Sequence, residues 1–369
     1  MSSGVEAEIA LDAAVIASLG ANRLLGAGAG AAAHGAAAFA ALAEKKAGAR
    51  AEALADLERY ERALREAVDR NARIRALRDT VHAAAREHAG QVSLPVPEEL
   101  DLTGVAHDEV VTWCAAVDTA LDEAEAALSA RLAELMTEQV SAEAGAGVSV
   151  PRDRAADLAR VLARLLPDAA EADRIRVREA AEHVAAAASD GEAEALLSEV
   201  RLRVQQANQR TREERARLRL WAEEQEALAQ AEAERRYVLE SITRAFEDLG
   251  YQVDTGFETR AAVDGNLVLT RGEWPDQAVR MRLEDGTLRA KMLRTRPLES
   301  EDDRRRDAER ERQWCDEFEA AQARLAAEGL GMAVTWRLEP GAEELPVTEE
   351  SGQQARRKQH KPKERRLEY

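Results

Sequence analysis

The sequence of 369 residues is poor in aromatic residues, which make up only 4% of it although 45% is hydrophobic. Much of that hydrophobic content is alanine, and an alanine side chain buries little surface. A large, rounded hydrophobic core is therefore not expected. Helices that pack along narrow seams of Ala, Leu and Val are favoured instead, which predicts a mainly α-helical protein.

Cysteine is also scarce, since Cys114 and Cys315 are the only two. Two distant cysteines make no disulfide framework, so a reducing compartment and a cytoplasmic location are expected. The first ten residues do not have the pattern of a secretory signal. The longest uncharged stretch, Leu24 to Ala43, is almost all alanine and glycine, which insert poorly into bilayers. We expect no membrane contact, with membrane association through this Gly/Ala segment as an alternative.

Motifs for metal or nucleotide chemistry are missing as well. None of the six histidines forms an H-E-x-x-H motif. Gly30 and Gly35 have the spacing of P-loop glycines, but alanines follow where lysine and a hydroxyl residue are required. We therefore predict no cofactor, no metal and no ATP hydrolysis by this chain.

The dominant positive feature is a 3-4 spacing of seam residues from Leu197 to Leu249, uninterrupted by proline. A repeat that averages 3.5 residues keeps one seam on one side of a helix, and that seam packs against another helix. We predict a long coiled-coil helix, roughly 80 Å in length. Leu218, Trp221 and Leu228 lie in the seam and are its predicted interaction residues.

A second 3-4 pattern runs from Leu57 to Ala85, with the polar Asn71 in its seam. Asn71 is interpreted either as a register-setting residue or as a seam position open to water. A proline-containing connection and another helical pattern follow, which predicts an antiparallel helical hairpin. The predicted segments are 1–45 (an N-terminal helix, amphipathic over 7–22, and an Ala/Gly-rich segment), 46–140 (the hairpin), 141–190 (short helices), 191–250 (the long helix), 251–338 (an α+β docking domain) and 339–369 (a disordered tail, acidic then basic).

After Gly250 the period of the hydrophobic pattern changes to two, which predicts strands. Asp285-Gly286 between two such segments predicts a β-hairpin, and Ser300 with Asp303 three residues later predicts the start of a helix. The domain is expected to run helix, four strands, helix, strand. Trp274, between two strands, is predicted as a docking anchor because aromatic side chains anchor interfaces.

This order of elements resembles nuclease folds of the restriction-endonuclease kind. The resemblance implies an acid at a strand end and an acid-x-Lys motif on the next strand, which hold a divalent metal and position water. Asp276 and Lys291 are the matching residues, but Arg289 stands where the second acid belongs. A metal-dependent nuclease with its site in this domain is the alternative to a noncatalytic docking domain.

The net charge of −18 opposes binding of the whole chain to nucleic acid, but the end of the tail is basic. A weak nucleic-acid contact, or a contact with an acidic partner, is predicted for this segment. Its basic residues are Arg356, Arg357, Lys358, Lys361, Lys363, Arg365 and Arg366.

The predicted fold class is mainly α, with an elongated antiparallel coiled-coil or helical-bundle arm, a small C-terminal α+β domain and a disordered tail. The leading functional hypothesis is a noncatalytic, cytoplasmic coiled-coil scaffold or adaptor subunit of a multiprotein assembly. Protein partners are expected, and by analogy a separately encoded ATPase or DNA-acting machine is one candidate. A second copy of the chain, in a homo-oligomer, is another.

Overall fold

The computed structural model describes residues 4–25, 47–143, 151–253 and 266–347. Within these ranges the protein is mainly helical and carries one small antiparallel sheet, so the predicted fold class is confirmed. The helices are α1 (Ala13–Leu24), α2 (Ala47–Glu87), α3 (His107–Glu143), α4 (Arg152–Leu162), α5 (Glu171–Ala186), α6 (Asp190–Glu247) and α7 (Glu301–Ala327). The strands are β1 (Gly4–Leu11), β2 (Gln252–Val253), β3 (Asn266–Thr270), β4 (Gln277–Glu284), β5 (Thr287–Arg294) and β6 (Leu330–Arg337).

The chain divides into two compact units, and both draw on α6. The helical unit comprises Gly20–Ala36 and Ala55–Leu228. The α+β unit comprises Met1–Leu19, Ala37–Leu54 and Ala229–Tyr369. None of the helices within the described ranges is both long enough and apolar enough to cross a bilayer. Most of the Gly/Ala segment proposed as a membrane contact lies outside the described residues.

In the helical unit, α2 and α3 run in the same direction, so the predicted antiparallel hairpin is wrong. Arg70 of α2 pairs with Asp118 of α3 at 2.8 Å, and Arg73 pairs with Asp122 at 3.2 Å. The partner's number rises along α3 as it rises along α2, which is the signature of a parallel pair. Successive residues of the α2 seam therefore contact successive residues of the α3 seam in the same order along the chain.

The parallel arrangement is possible because residues 88–106 form an extended return segment along α2. Asn71 binds this segment through both of its amide atoms, which donate to the carbonyl oxygen and accept from the N–H of Leu100 at 2.9 Å each. Nearer the start of α2, the Tyr60 hydroxyl donates to the Val105 carbonyl oxygen at 2.8 Å. Pro95 and Pro97 favour extended backbone here. The chain thus returns to the beginning of α2 before α3 starts.

Helix α6 runs antiparallel to this pair. Arg215 approaches Glu125, which also pairs with Arg73, whereas Glu226, further along α6, approaches Arg65. The first part of α6 packs with α4, α5 and the end of α3 around a separate core of small apolar side chains. The buried Asn208 donates to the Arg164 carbonyl oxygen at 2.7 Å and so fixes the turn between α4 and α5 on α6.

The sheet of the α+β unit has the order β2-β3-β4-β5-β1-β6, and every neighbouring pair of strands is antiparallel. Strand β1 comes from the N-terminus and lies between β5 and β6. The helix predicted over 7–22 is therefore wrong for residues 7–11, and the helix begins only at Ala13. Val5 and Ala7 are buried in the core on alternate positions, as a half-buried strand requires.

Two local predictions in this unit are confirmed. Asp285 and Gly286 both have positive φ, 47° and 74°, in the two-residue turn that joins β4 to β5, as a type I′ turn requires. The Ser300 hydroxyl accepts a hydrogen bond from the Asp303 backbone N–H at 3.2 Å and caps α7. Helix α7 and the end of α6 pack on the sheet around a core that contains the aromatic side chains of Phe246, Tyr251, Trp274, Trp314 and Phe318.

The predicted disorder of the tail is wrong for residues 339–347. Leu345 is buried in the core of the α+β unit, with 5% of its surface exposed. The backbone nearby is held by a hydrogen bond of 2.8 Å from the Arg294 N–H to the Pro346 carbonyl oxygen. Residues 348–369, which include every basic residue predicted as a contact, lie outside the described residues.

Candidate interaction surface

The long seam of α6 is buried at both ends and exposed in its middle. Its first part, from Leu197 to Thr211, lies in the core of the helical unit, and its last part, from Leu239 to Phe246, lies in the core of the α+β unit. Between them the seam residues Leu218, Trp221 and Leu228 are 56%, 60% and 59% exposed. Other parts of the chain therefore cover the seam only at its two ends.

We call Leu218, Trp221, Gln225 and Leu228 the α6 stripe. Their 3-4-3 spacing places them on one face of the helix, and all four side chains are exposed. Leu220, 67% exposed, lies in the same stretch but about 120° around the helix from the centre of the stripe. Leu220 thus offers a matched control for any experiment on the stripe.

The intrachain contacts of this stretch lie on a different side of α6. The Arg215 guanidinium pairs with Asp168 at 2.7 Å, and Glu226 pairs with Arg23 at 2.8 Å. At 3.6 residues per turn, Arg215 and Glu226 are centred about 110° from the stripe. The helices of the helical unit that pack against α6 therefore do not cover the stripe.

Charge is distributed unevenly along the same stretch. Residues 212–222 contain four arginines and two glutamates, a net charge of +2, whereas residues 224–234 contain four glutamates and no basic residue, a net charge of −4. Arg217 and Glu224 flank the stripe on the same side, and both are exposed. Arg217 pairs with Glu214 one turn earlier, and such exposed local pairs contribute little to stability.

Large apolar side chains exposed together on one face commonly mark a site of protein interaction. Tryptophan and leucine in particular can anchor a partner helix, since they fill the spaces between its side chains. The α6 stripe consists of two leucines, a tryptophan and a glutamine, whose side chains make apolar and hydrogen-bonding contacts. It is the candidate interaction surface of this protein.

Trp274 is buried, with 2% of its surface exposed, so its prediction as an exposed docking anchor is wrong. Its ring meets Tyr251 edge-on at a centroid distance of 5.5 Å, and the guanidinium of Arg271 lies 5.8 Å from it. The indole is therefore part of the core. Among the described tryptophans of this unit the exposed one is Trp336, at 44%, on the edge strand β6.

Asp276 and Lys291, the residues of the nuclease alternative, are not brought together. Asp276 pairs with Arg296 at 2.6 Å just before β4, whereas Lys291 lies within β5 opposite Arg280. The register of the hairpin separates them by about four residues along the strands, roughly 13 Å. Within the described part of the chain no cluster of three or more His, Cys, Asp or Glu side chains could hold a metal ion.

Ionisable groups buried elsewhere serve packing. Arg294, 1% exposed, pairs with Asp307 at 2.6 Å, and the Gln277 amide donates to the other oxygen of that carboxylate at 2.8 Å.

Both cysteines are buried and unpaired, and burial raises the pKa of the Cys114 thiol and of the Cys315 thiol. A raised pKa keeps a thiol protonated and unreactive, so neither cysteine has the character of a nucleophile.

Comparisons with known proteins assign nothing to this chain: no family model matches it, and neither does any curated protein or solved structure. The exposed stripe on α6 is therefore the feature from which a function is inferred.

Proposed function

We propose that this protein is a noncatalytic coiled-coil scaffold or adaptor subunit of a multiprotein assembly, and that the α6 stripe binds a helix of its partner. The observation that carries the proposal is the exposure of 56–60% of three large apolar side chains on one face of α6. Each side chain of this size gains about 1.5–3 kcal/mol when fully buried. Association costs offset part of that gain, so a partner must match the stripe in shape.

An amphipathic helix is the partner that fits this surface best. Side chains spaced by three and four residues on α6 form the ridges into which a second helix packs. The partner helix should carry apolar residues at the same spacing, with charges opposite to those of the stretch it covers. A subunit of an ATPase or DNA-acting machine, or a second copy of this chain, are partners of this kind.

The proposed compartment is the cytoplasm. Two buried thiols without a disulfide support a reducing environment.

Affinity purification from the native cells tests the docking role. The full-length protein is compared with a Leu218→Asp/Leu228→Asp variant and with Leu220→Asp as the control. We expect the wild-type chain and the control to retain the same partner, and the stripe variant to lose it. Circular dichroism establishes that α6 still forms in each variant. Retention of the partner by a well-folded stripe variant would contradict the proposal.

A further inference from the structure

We infer that one face of the sheet in the α+β unit binds a single-stranded nucleic acid. The other face is covered by α6 and α7, and it contains the buried Val5, Met281 and Ala290 in one row across three strands. Residues one position away along each strand point to the opposite face, because side chains alternate along a strand. This face belongs to the sheet, so the inference is independent of the function proposed for the α6 stripe.

Four cations form a block on two neighbouring strands of this opposite face. Arg280 lies opposite Lys291, and Arg282 lies opposite Arg289, in the register of β4 and β5. Like charges directly opposite each other destabilise a sheet, so the pairing of the strands does not explain the block. Arg282, Arg289 and Lys291 are exposed and can reach an anion on the surface. We call these four residues and Trp336 the basic face.

Three glutamates lie beside the block and neutralise only part of it. Glu6 pairs with Arg289 at 3.3 Å, Glu284 pairs with Arg282, and Glu8 lies in the row of Glu284. The row that holds the other two cations contains no acidic residue on the described parts of β3, β4, β5 and β1. Cations and glutamates together have a net charge of +1, in a chain with a net charge of −18. The basic face is thus a local site of attraction for anions.

Trp336 adds an exposed aromatic ring to this face. It lies opposite Glu6 on the edge strand β6, and 44% of its surface is exposed. Gly4 makes room for the ring, because a Cβ atom there would lie 3.2 Å from a carbon of its six-membered ring and 3.5 Å from the Lys291 side chain. The indole and the Lys291 side chain are therefore neighbours above the backbone of Gly4.

An exposed aromatic ring beside cations is the combination with which proteins bind single-stranded nucleic acids. A base stacks on the ring while the cations contact phosphates of the same strand. In a duplex each base is already stacked between its neighbours, so the ring favours single strands. An acidic peptide would also be attracted by the cations, but its carboxylates offer no flat ring for Trp336. The indole therefore favours a nucleic acid over an acidic protein.

Fluorescence anisotropy with the full-length protein tests the inference, using dye-labelled oligonucleotides of about twelve nucleotides. Oligothymidylate and oligouridylate are compared with a duplex of the same length and with oligoglutamate, all in EDTA. We expect a single strand to bind more tightly than the duplex and than oligoglutamate. Tighter binding of oligothymidylate identifies DNA as the ligand, and tighter binding of oligouridylate identifies RNA. Preference for the duplex or for oligoglutamate would overturn the inference.

A pair of tryptophan variants tests the stacking role. Trp336→Leu should weaken binding of the single strand at least about fivefold, because it removes the ring on which a base stacks. Trp336→Phe keeps an aromatic ring and should bind more tightly than Trp336→Leu. Trp221→Leu, at an exposed position on α6, is the matched control and should bind as the wild type does. Equal affinities of Trp336→Leu and Trp221→Leu, with both chains folded by circular dichroism, would contradict the stacking role and the inference.

The salt dependence of binding tests the phosphate contacts. Arg282→Gln/Lys291→Gln should lower the slope of log K against log salt concentration by about 1.4, since each lost phosphate contact removes about 0.7 for a single strand. Arg236→Gln/Arg305→Gln changes the net charge equally at exposed positions on α6 and α7. An equal change of slope in both variants would show an effect of net charge alone and would overturn the assignment of the basic face.

Ultraviolet crosslinking separates the basic face from the basic tail, whose cations between Arg356 and Arg366 also attract phosphates. The bound single strand is irradiated on the full-length protein, and the adduct is located by mass spectrometry. We expect the adduct on β6 or on the strands beside it. An adduct confined to residues 348–369 would assign the binding to the tail and reject the basic face.

Discussion

Asn71 is the single residue that best explains the direction of the helices in the helical unit. The sequence marks it as a polar position in an apolar seam, which predicts a place between two helices. Instead, both ends of its amide bind the backbone of Leu100 in the return segment. No pattern in the sequence identifies that contact, because Leu100 lies in a segment without periodicity.

Replacement of Asn71 by alanine should destabilise the helical unit. The change leaves the backbone N–H and carbonyl of Leu100 without their side-chain partners, and each unmade hydrogen bond costs about 1–3 kcal/mol if the group remains shielded from water. Urea denaturation should therefore show a loss of that order. Amide exchange at Leu100 should also accelerate.

Thr80→Ala is the control for this substitution, since the exposed Thr80 hydroxyl donates only to the Ala76 carbonyl one turn earlier in α2. Equal stability of the Asn71 variant and this control would show that the return segment is not held by Asn71.

Asp173 should give the stability of the helical unit part of its pH dependence. It is buried, and hydrogen bonding to Arg210 is the main cause that lowers its pKa below the ordinary value of 3.8. The folded pKa therefore lies below the unfolded one. The stabilisation is complete above the unfolded pKa and is lost as the pH falls through the folded pKa.

The free energy of unfolding, measured from neutral pH down to about pH 3, should accordingly fall more steeply for the wild type than for Asp173→Asn. The variant should be less stable at neutral pH and should approach the wild type in acid. Glu179→Gln, at an exposed position on the same helix, is the control. A constant difference between wild type and Asp173→Asn at every pH would contradict the assignment.

At the scale of elements, strand β1 was predicted as part of a helix although its own sequence carries a strand pattern. Residues 5–11 alternate apolar and polar positions, which is typical of a strand, but the apolar residues that follow continue into a helical spacing. The strand is decided by pairing with β5 and β6, more than 270 residues away along the chain. Local propensity cannot reveal a partner at that distance.

The position of β1 changes what is expected of the isolated C-terminal part. A fragment of residues 235–338 lacks the strand that joins β5 to β6 and removes Val5 and Ala7 from the core. Deletion of residues 1–11 should therefore abolish cooperative unfolding of the α+β unit. Near-ultraviolet circular dichroism should lose the signal of its packed tryptophans.

The helical unit serves as the internal control for this deletion, because none of residues 1–11 belongs to it. Its amide protection should persist in the truncated chain. If the deleted chain keeps the wild-type transition of the α+β unit, β1 is not required, and the fragment folds as a separable domain.

The helices themselves could be predicted from periodicity, and most strands of the C-terminal sheet from alternation and turn residues. The direction of α3 could not, because a connection of this length permits either orientation. A hydrophobic pattern specifies which face of an element is covered, but it does not specify what covers it. The parallel pair depends on polar contacts such as those of Asn71 and Tyr60, which no periodicity encodes.

At the scale of the whole molecule, α6 contributes its first part to the core of the helical unit and its last part to the core of the α+β unit. Its middle part belongs to neither core. The sequence predicted Leu218, Trp221 and Leu228 as interaction residues because they continue the seam. Only the structure distinguishes them from Leu197 or Ile242, which satisfy the same pattern inside the chain. Trp274 and Trp336 illustrate the converse, since composition could not tell the core indole from the exposed one.

Photo-crosslinking in the native cells tests the central claim, that the α6 stripe is a docking surface, most directly. A photoreactive amino acid replaces Trp221 in one version of the protein and Leu220 in another. We predict a defined protein adduct from position 221, either the chain itself or another protein, and little or none from position 220. Absence of any adduct at 221, or equal adducts at both positions, would contradict the claim.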